Sequence, residues 1–208
     1  MPTGAQTLTY QQTMPSPPAE VYHAFTNSTA LREWLCDTAT ASARPNGHIF
    51  AGWNNGYYAT GHYTELVENR VASFTWQGRG EPWPTQVRVE IEPVMPGSML
   101  TLTHSGIGDG PEWSGRRAMI DQGWQRSLEN LASVLTTGED LRITRRPMLG
   151  ILLATFTAED AQRLRIPNAH GVRLNGVVPG LGADAAVLRK DDVVVASGGM
   201  PVGDVVAL

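Results

Sequence analysis

The sequence predicts an α+β protein in two units: a curved antiparallel sheet wrapped around one long helix, then a smaller, partial β/α module. Three observations carry this. Short runs of alternating character fill 38–106, separated by turn residues. Apolar residues recur at three- and four-residue steps over 112–135, as on one face of a helix. Beyond a basic, proline-ended joint containing Arg142, Arg145, Arg146 and Pro147, the composition changes. The units are placed at 1–140 and 148–208, with 141–147 as the linker.

The first strand is expected at 7–14, where Leu8, Tyr10 and Gln12 share a face, and it stops at Pro15. Ser16-Pro17-Pro18-Ala19-Glu20 reads as a helix start, with prolines in the first turn and Glu20 favourably placed against the helix dipole. Val21, Ala24 and Phe25 form the dry face of that helix. Ser28 is the expected cap of a second helix at 29–35, in which Leu31, Trp34 and Leu35 point one way. Six strands follow at 38–43, 48–53, 57–67, 71–76, 85–94 and 98–105. Asn46-Gly47, Asn54-Asn55-Gly56 and Met95-Pro96-Gly97 supply tight links. In the fifth of these strands Val87, Val89 and Ile91 alternate with Arg88, Glu90 and Glu92, one face dry and one wet.

The long helix should carry Trp113, Trp124, Leu128 and Leu131 toward the sheet. Trp113 and Trp124 are placed on one face because eleven residues make three turns. Gly138 is its expected C-terminal cap. The second unit reads as a strand at 148–156, a helix at 158–164, a strand at 171–178, a small-residue helix at 183–188 and a strand at 191–196.

The 208 residues carry a net charge of −4 and scattered basic side chains, which excludes the charge pattern of a nucleic-acid binder. The one cysteine, Cys36, forms no internal disulfide and reads as a small core residue. No basic start leads into an apolar run, and no stretch approaches the ~20 apolar residues of a membrane span, so a cytoplasmic chain without a membrane span is expected.

The words Pro18-Ala19-Glu20-Val21-Tyr22-His23-Ala24-Phe25-Thr26, Leu31-Arg32-Glu33-Trp34, Gly52-Trp53-Asn54-Asn55-Gly56-Tyr57, Phe74-Thr75-Trp76, Leu102-Thr103-His104-Ser105-Gly106 and Gly123-Trp124 occur in an informative order. Over 7–138 the chain resembles the helix-grip superfamily called START-like or SRPBCC. Within it the chain is similar to the family named for an activator of a heat-shock chaperone's ATPase. Residues 148–208 resemble a PDZ domain of the HtrA-like bacterial arrangement. There Leu149, Gly150, Ile151 and Leu152 match the loop that receives a peptide's terminal carboxylate. In that arrangement a further helix forms the second wall of the peptide groove, and here it has barely begun by Leu208. The unit is therefore expected to be C-terminally incomplete, with 202–208 lying free or against a neighbouring copy.

The resemblance implies a non-enzymatic protein holding an apolar or amphipathic small molecule in the helix-grip cavity. It also implies a module that meets a protein C-terminus or a second copy of the chain. A chaperone-associated ATPase activator and a cyclase- or hydratase-like enzyme are the alternatives.

Trp76, Val89, His104, Trp113, Trp124 and Leu128 are the candidate cavity residues. Large aromatics give flat contact area, and His104 shares strand parity with Leu100 and Leu102 and so should face inward. The ordinary alternative is that the same side chains only fill a wide core. Gly106, Gly108 and Gly110 read as a turn into the helix, not a phosphate loop. No catalytic triad, metal-ligand spacing or cofactor fingerprint is present, so no catalytic residue, metal or cofactor is expected.

Overall fold

The computed structural model describes residues 6–146, 148–167 and 170–205. The chain divides into two compact units, Met1–Thr144 and Arg145–Leu208.

The first unit begins with β1 (Gln6–Met14), α1 (Pro18–Thr26) and α2 (Ser28–Trp34). Strands β2 (Thr38–Ala41), β3 (His48–Gly52), β4 (Tyr58–Val67), β5 (Val71–Gly78), β6 (Thr85–Pro93) and β7 (Ser98–Ile107) follow as a meander. The seven strands lie in the order β1-β7-β6-β5-β4-β3-β2, with every pair antiparallel, so α1 and α2 carry the chain from one sheet edge to the other. Alternation decides the faces: along β6 Thr85, Val87, Val89 and Ile91 are buried, and their neighbours are not.

The dry face is covered by α3 (Arg116–Thr137), through Trp124, Leu128 and Leu131. Its start differs from the expectation. Pro111–Trp113 forms a separate 3-10 turn, and Gly115 at φ +74° breaks the path into α3, a conformation that a side chain would strain. The three-turn spacing of Trp113 and Trp124 therefore does not apply, because no single helix joins them.

Short hydrogen bonds tie the small helices down. Asn27, not Ser28, caps α2, its Oδ1 accepting from the N–H of Thr29 and Ala30 at 2.8 and 3.1 Å. Ser28 Oγ instead accepts from the Ala41 N–H, 2.8 Å away. Trp34 Nε1 donates to the Ala24 carbonyl at 2.9 Å, and the Tyr63 hydroxyl donates to the Phe25 carbonyl at 2.8 Å. Cys36 follows α2 and is fully buried; burial pushes its thiol up to about 11.

Part of the expected linker belongs to this unit. The helix α4 (Leu141–Thr144) follows a turn held by Asn130, whose Nδ2 donates to the Trp34 carbonyl at 2.7 Å and to Asp140 Oδ1 at 3.0 Å. Asn130 Oδ1 accepts from the Leu141 N–H at 2.7 Å. Arg142 grips Asp140 and donates to the Arg32 carbonyl, and this pairing lowers the Asp140 pKa against the effect of burial.

The second unit contains β8 (Ile151–Ala154), α5 (Ala158–Leu164), β9 (Val172–Val177), α6 (Gly182–Ala185), β10 (Val193–Val194), β11 (Ala196–Ser197) and β12 (Met200–Pro201). One sheet has the order β10-β9-β8, and β11 pairs with β12. Its core is small: Ala161, Val172, Leu174, Ala183 and Val202. Val202 was expected free or against a neighbouring copy. It is 3% exposed within its own unit, where its N–H donates to the Val195 carbonyl. Residues 206–208 of that tail lie outside the described residues. Among the described residues no helix is long and apolar enough to cross a membrane.

Asn130 is 1% exposed and is the polar joint between α3, α2 and the α4 turn. Asn130→Ala strands the Trp34 carbonyl and the Leu141 N–H, and should lower stability by about 1–3 kcal/mol, read as an earlier urea midpoint with an unchanged slope.

Candidate functional site

Strands β5, β6 and β7 and helix α3 bring five of the six expected cavity residues together. Trp76, Val89, Trp124 and Leu128 belong to one buried cluster, and His104 is hydrogen-bonded to Trp124 within it. Trp76 and Trp124 have ring centres 5.6 Å apart, and His104 and Trp124 6.2 Å. Trp113 is not among them. It is buried in a second cluster with Leu8 and Ile107, its ring centre 5.3 Å from Trp83. Partly buried Tyr10 and Ile120 pack against both clusters. Among the described residues, the buried Trp113 Nε1–H has no hydrogen-bond partner.

His104 is fully buried, and its neighbours fix its tautomer. The Thr85 hydroxyl donates to the Trp76 carbonyl at 2.8 Å, so its oxygen accepts from His104 Nε2–H at 2.6 Å. His104 Nδ1 then accepts from Trp124 Nε1–H at 2.9 Å. Each polar atom of the chain has a partner, which is what allows it to stand in apolar surroundings. Burial lowers the His104 pKa to about 4, so the ring is neutral at neutral pH.

A second polar group sits nearby and was not anticipated. Glu81, in the connection between β5 and β6, is 8% exposed. Its Oε2 accepts from the Gly78 N–H at 2.7 Å, and its Oε1 accepts from the Tyr57 hydroxyl at 3.3 Å. Burial pushes the carboxyl above its ordinary value, while the Gly78 N–H, Tyr57 and the charge of Arg116 pull it back. Burial and Glu81 together push the Tyr57 phenol up. Trp53 completes the wall, 5.2 Å from Tyr57 and 6.4 Å from Trp76, with its indole N–H on the Leu35 carbonyl. A side chain at position 78 would strike the Tyr57 hydroxyl and the Glu81 carboxylate, so glycine there is what lets the pair approach the sheet.

Thr85 was legible: it has the parity of Val87, Val89 and Ile91 at the head of the same alternation. Glu81 was not. It lies in Gly80-Glu81-Pro82-Trp83-Pro84, where turn residues signal a solvated connection and no periodicity tells which way a carboxylate points. Surface hollows lie elsewhere, one beside α5 at Ala158, Gln162 and Arg165, the other at Glu33, Val134, Gly138 and Asp140.

In the second unit, Leu149 and Gly150 precede β8, and Ile151 and Leu152 begin it. Gly150 adopts φ +69° against the Leu181 side chain, where an added Cβ would lie 2.6 Å away. Its carbonyl accepts from the Val178 N–H at 2.8 Å. Leu149 and Leu152 are each about half exposed, at 50% and 51%. Strand β8 is at the end of its sheet.

The lowered His104 pKa sets a pH dependence. An unfolded histidine, near pKa 6.5, takes up a proton that the folded one refuses until about pH 4. The unfolded state therefore binds more protons across that window, and stability falls as pH drops from about 6.5 to about 4, by roughly 3 kcal/mol in all. His104→Gln should remove this part of the slope, measured as the difference between the two proteins' urea midpoints at pH 7 and pH 4.5.

Comparison with known proteins follows the first unit. Protein MLL2253 of Mesorhizobium loti is 19% identical, with a TM-score of 0.57 over 64% of this chain and 99% of its own. The Aha1 dimer of Colwellia psychrerythraea, a solution structure, is likewise 19% identical, with a TM-score of 0.57 over 64% of this chain and 98% of its own. Protein CV1439 of Chromobacterium violaceum is 26% identical, with a TM-score of 0.52 over 62% and 96%. At such identities the likeness is one of fold. No match to a curated protein is found. The family model described as Activator of Hsp90 ATPase homolog 1-like protein matches residues 15–136, a run that includes α1, α2, strands β2 to β7 and nearly all of α3, and the chain belongs to that family.

Proposed function

We propose that the first unit is a non-enzymatic binding protein that takes an apolar or amphipathic small molecule between the sheet and α3. The carrying observation is the gathering of Trp53, Trp76 and Trp124 around two buried polar groups, the Glu81–Tyr57 pair and the His104–Thr85 chain. Aromatic walls supply contact area, and a few fixed polar atoms orient a ligand. The aromatic rings pack on one another, so a ligand displaces side chains here. Trp113, packed against Trp83 in the second cluster, is not part of this wall. The polar groups suit binding better than proton transfer: His104 is locked as a neutral donor to Thr85, and Tyr57 holds its proton more tightly than a free phenol.

The second unit is read as a PDZ-like module in which Leu149, Gly150, Ile151 and Leu152 face a chain end that adds as a strand to β8. The positive φ of Gly150 and the outer edge of β8 support this. Leu149 and Leu152 are each about half exposed, so on this reading little of an apolar wall for a peptide's last side chain is built over that loop. A chaperone-associated role is the second reading, favoured by the family's description alone.

Denaturing extraction of the purified full chain followed by mass spectrometry should release an apolar molecule in near-stoichiometric amount. Trp76→Ala should lower its yield at least severalfold. A clean extract, together with stimulation of a chaperone ATPase by the added chain, would replace the first reading by the second. A fluorescent peptide with an apolar C-terminus should bind the chain more weakly than micromolar, since backbone pairing contributes only about 0.5–1.5 kcal/mol per hydrogen bond; micromolar binding by polarisation would contradict that.

A further inference from the structure

The solvent face of the sheet carries a pair of side chains that the site above does not use. His48 opens β3, His62 lies in β4, and the antiparallel register sets them directly opposite each other. Both are exposed. Their ring centres are 5.6 Å apart, with the planes at 71°. Two imidazoles on one tetrahedral ion, at metal–nitrogen distances of about 2.0–2.1 Å, place their ring centres about 5.2 Å apart. The pair stands close to that separation.

One ring is already oriented. His48 Nε2 lies 2.9 Å from Thr60 Oγ1, and the Thr60 hydroxyl donates to the Ile49 carbonyl at 3.4 Å. In the tautomer with the proton on Nε2, His48 donates to Thr60 and its Nδ1 electron pair is available to an ion. Metal-binding histidines are commonly held in this way, with the second ring N–H on an oxygen that sets tautomer and direction. The backbone positions are also fixed in advance. Both β3 and β4 are paired on each side, so neither histidine sits on a free edge, and ordering the site costs little.

We propose that His48 and His62 form a surface site for a borderline divalent transition-metal ion such as Ni2+, Zn2+ or Cu2+, bound by one nitrogen from each ring. Neutral imidazole suits these ions, and Cu2+ should bind most tightly. Among the described residues no group of three or more His, Cys, Asp or Glu is placed to hold a metal, so the remaining coordination positions go to water or an external ligand. The sequence hid the pair because cross-strand partners have no fixed spacing along the chain.

The test uses the untagged full chain, stripped with EDTA and titrated with NiCl2 in a calorimeter. One ion per chain should bind. His48→Ala and His62→Ala should each weaken binding by at least about tenfold, and Thr60→Val by about tenfold through lost orientation. His23→Ala and His170→Ala should leave it unchanged. Because His48 and His62 are exposed, their variants should melt at the wild-type temperature, separating lost binding from lost fold. Wild-type affinity in either the His48 or the His62 variant, or no Ni2+ uptake by the unaltered chain, would overturn the assignment.

Discussion

A sheet much wider than the helix that covers it is the constraint on which the first unit depends. Seven strands about 4.8 Å apart span about 29 Å, whereas a helix with its side chains covers about 10–12 Å. Helices α1 and α2 close part of the difference, by crossing between the sheet edges and burying Phe25, Leu31 and Trp34. Large aromatics take up what is left near the start of α3. The tryptophans are therefore concentrated there for a geometric reason first, and any ligand uses the same wide angle.

The polar groups of the His104 and Glu81 arrangements are tolerated there because each is answered, whereas the buried Trp113 N–H is not. Thr85, His104 and Trp124 form a chain in which every donor has one acceptor, ending on the backbone at Trp76. Glu81 is answered by a backbone N–H, a phenol and a neighbouring guanidinium. A buried polar atom without a partner costs about 1–3 kcal/mol, so these partnerships decide which rotamers the aromatic walls adopt. Asn130 does similar work at the other end of α3, where it converts the exit from the helix into a fixed turn.

What was legible in the sequence was what has a period. Strand alternation placed Val89 and His104 inward, and helical steps placed Trp124 and Leu128. Where the period is interrupted, inference failed. Gly115 separates Trp113 from α3, and a three-residue turn of different pitch replaced the expected first turn. The cap of α2 moved from Ser28 to Asn27, because adjacent residues of similar capping strength differ only in which backbone N–H groups their side chains reach. Glu81 was invisible for want of any pattern in its loop. In the second unit, β10 to β12 are two residues each, too short for alternation to speak.

Cys36 gives the first unit an internal clock. It is the sole sulfhydryl of the chain, and it lies shielded behind α2 with its reactive thiolate form suppressed. A thiol reagent thus meets it only in molecules whose packing around the end of α2 has opened. Its rate of modification measures how often that opening occurs, with no contribution from the second unit, which has no cysteine. Slow exchange at this one sulfur would report on the lifetime of the closed cup without any added label.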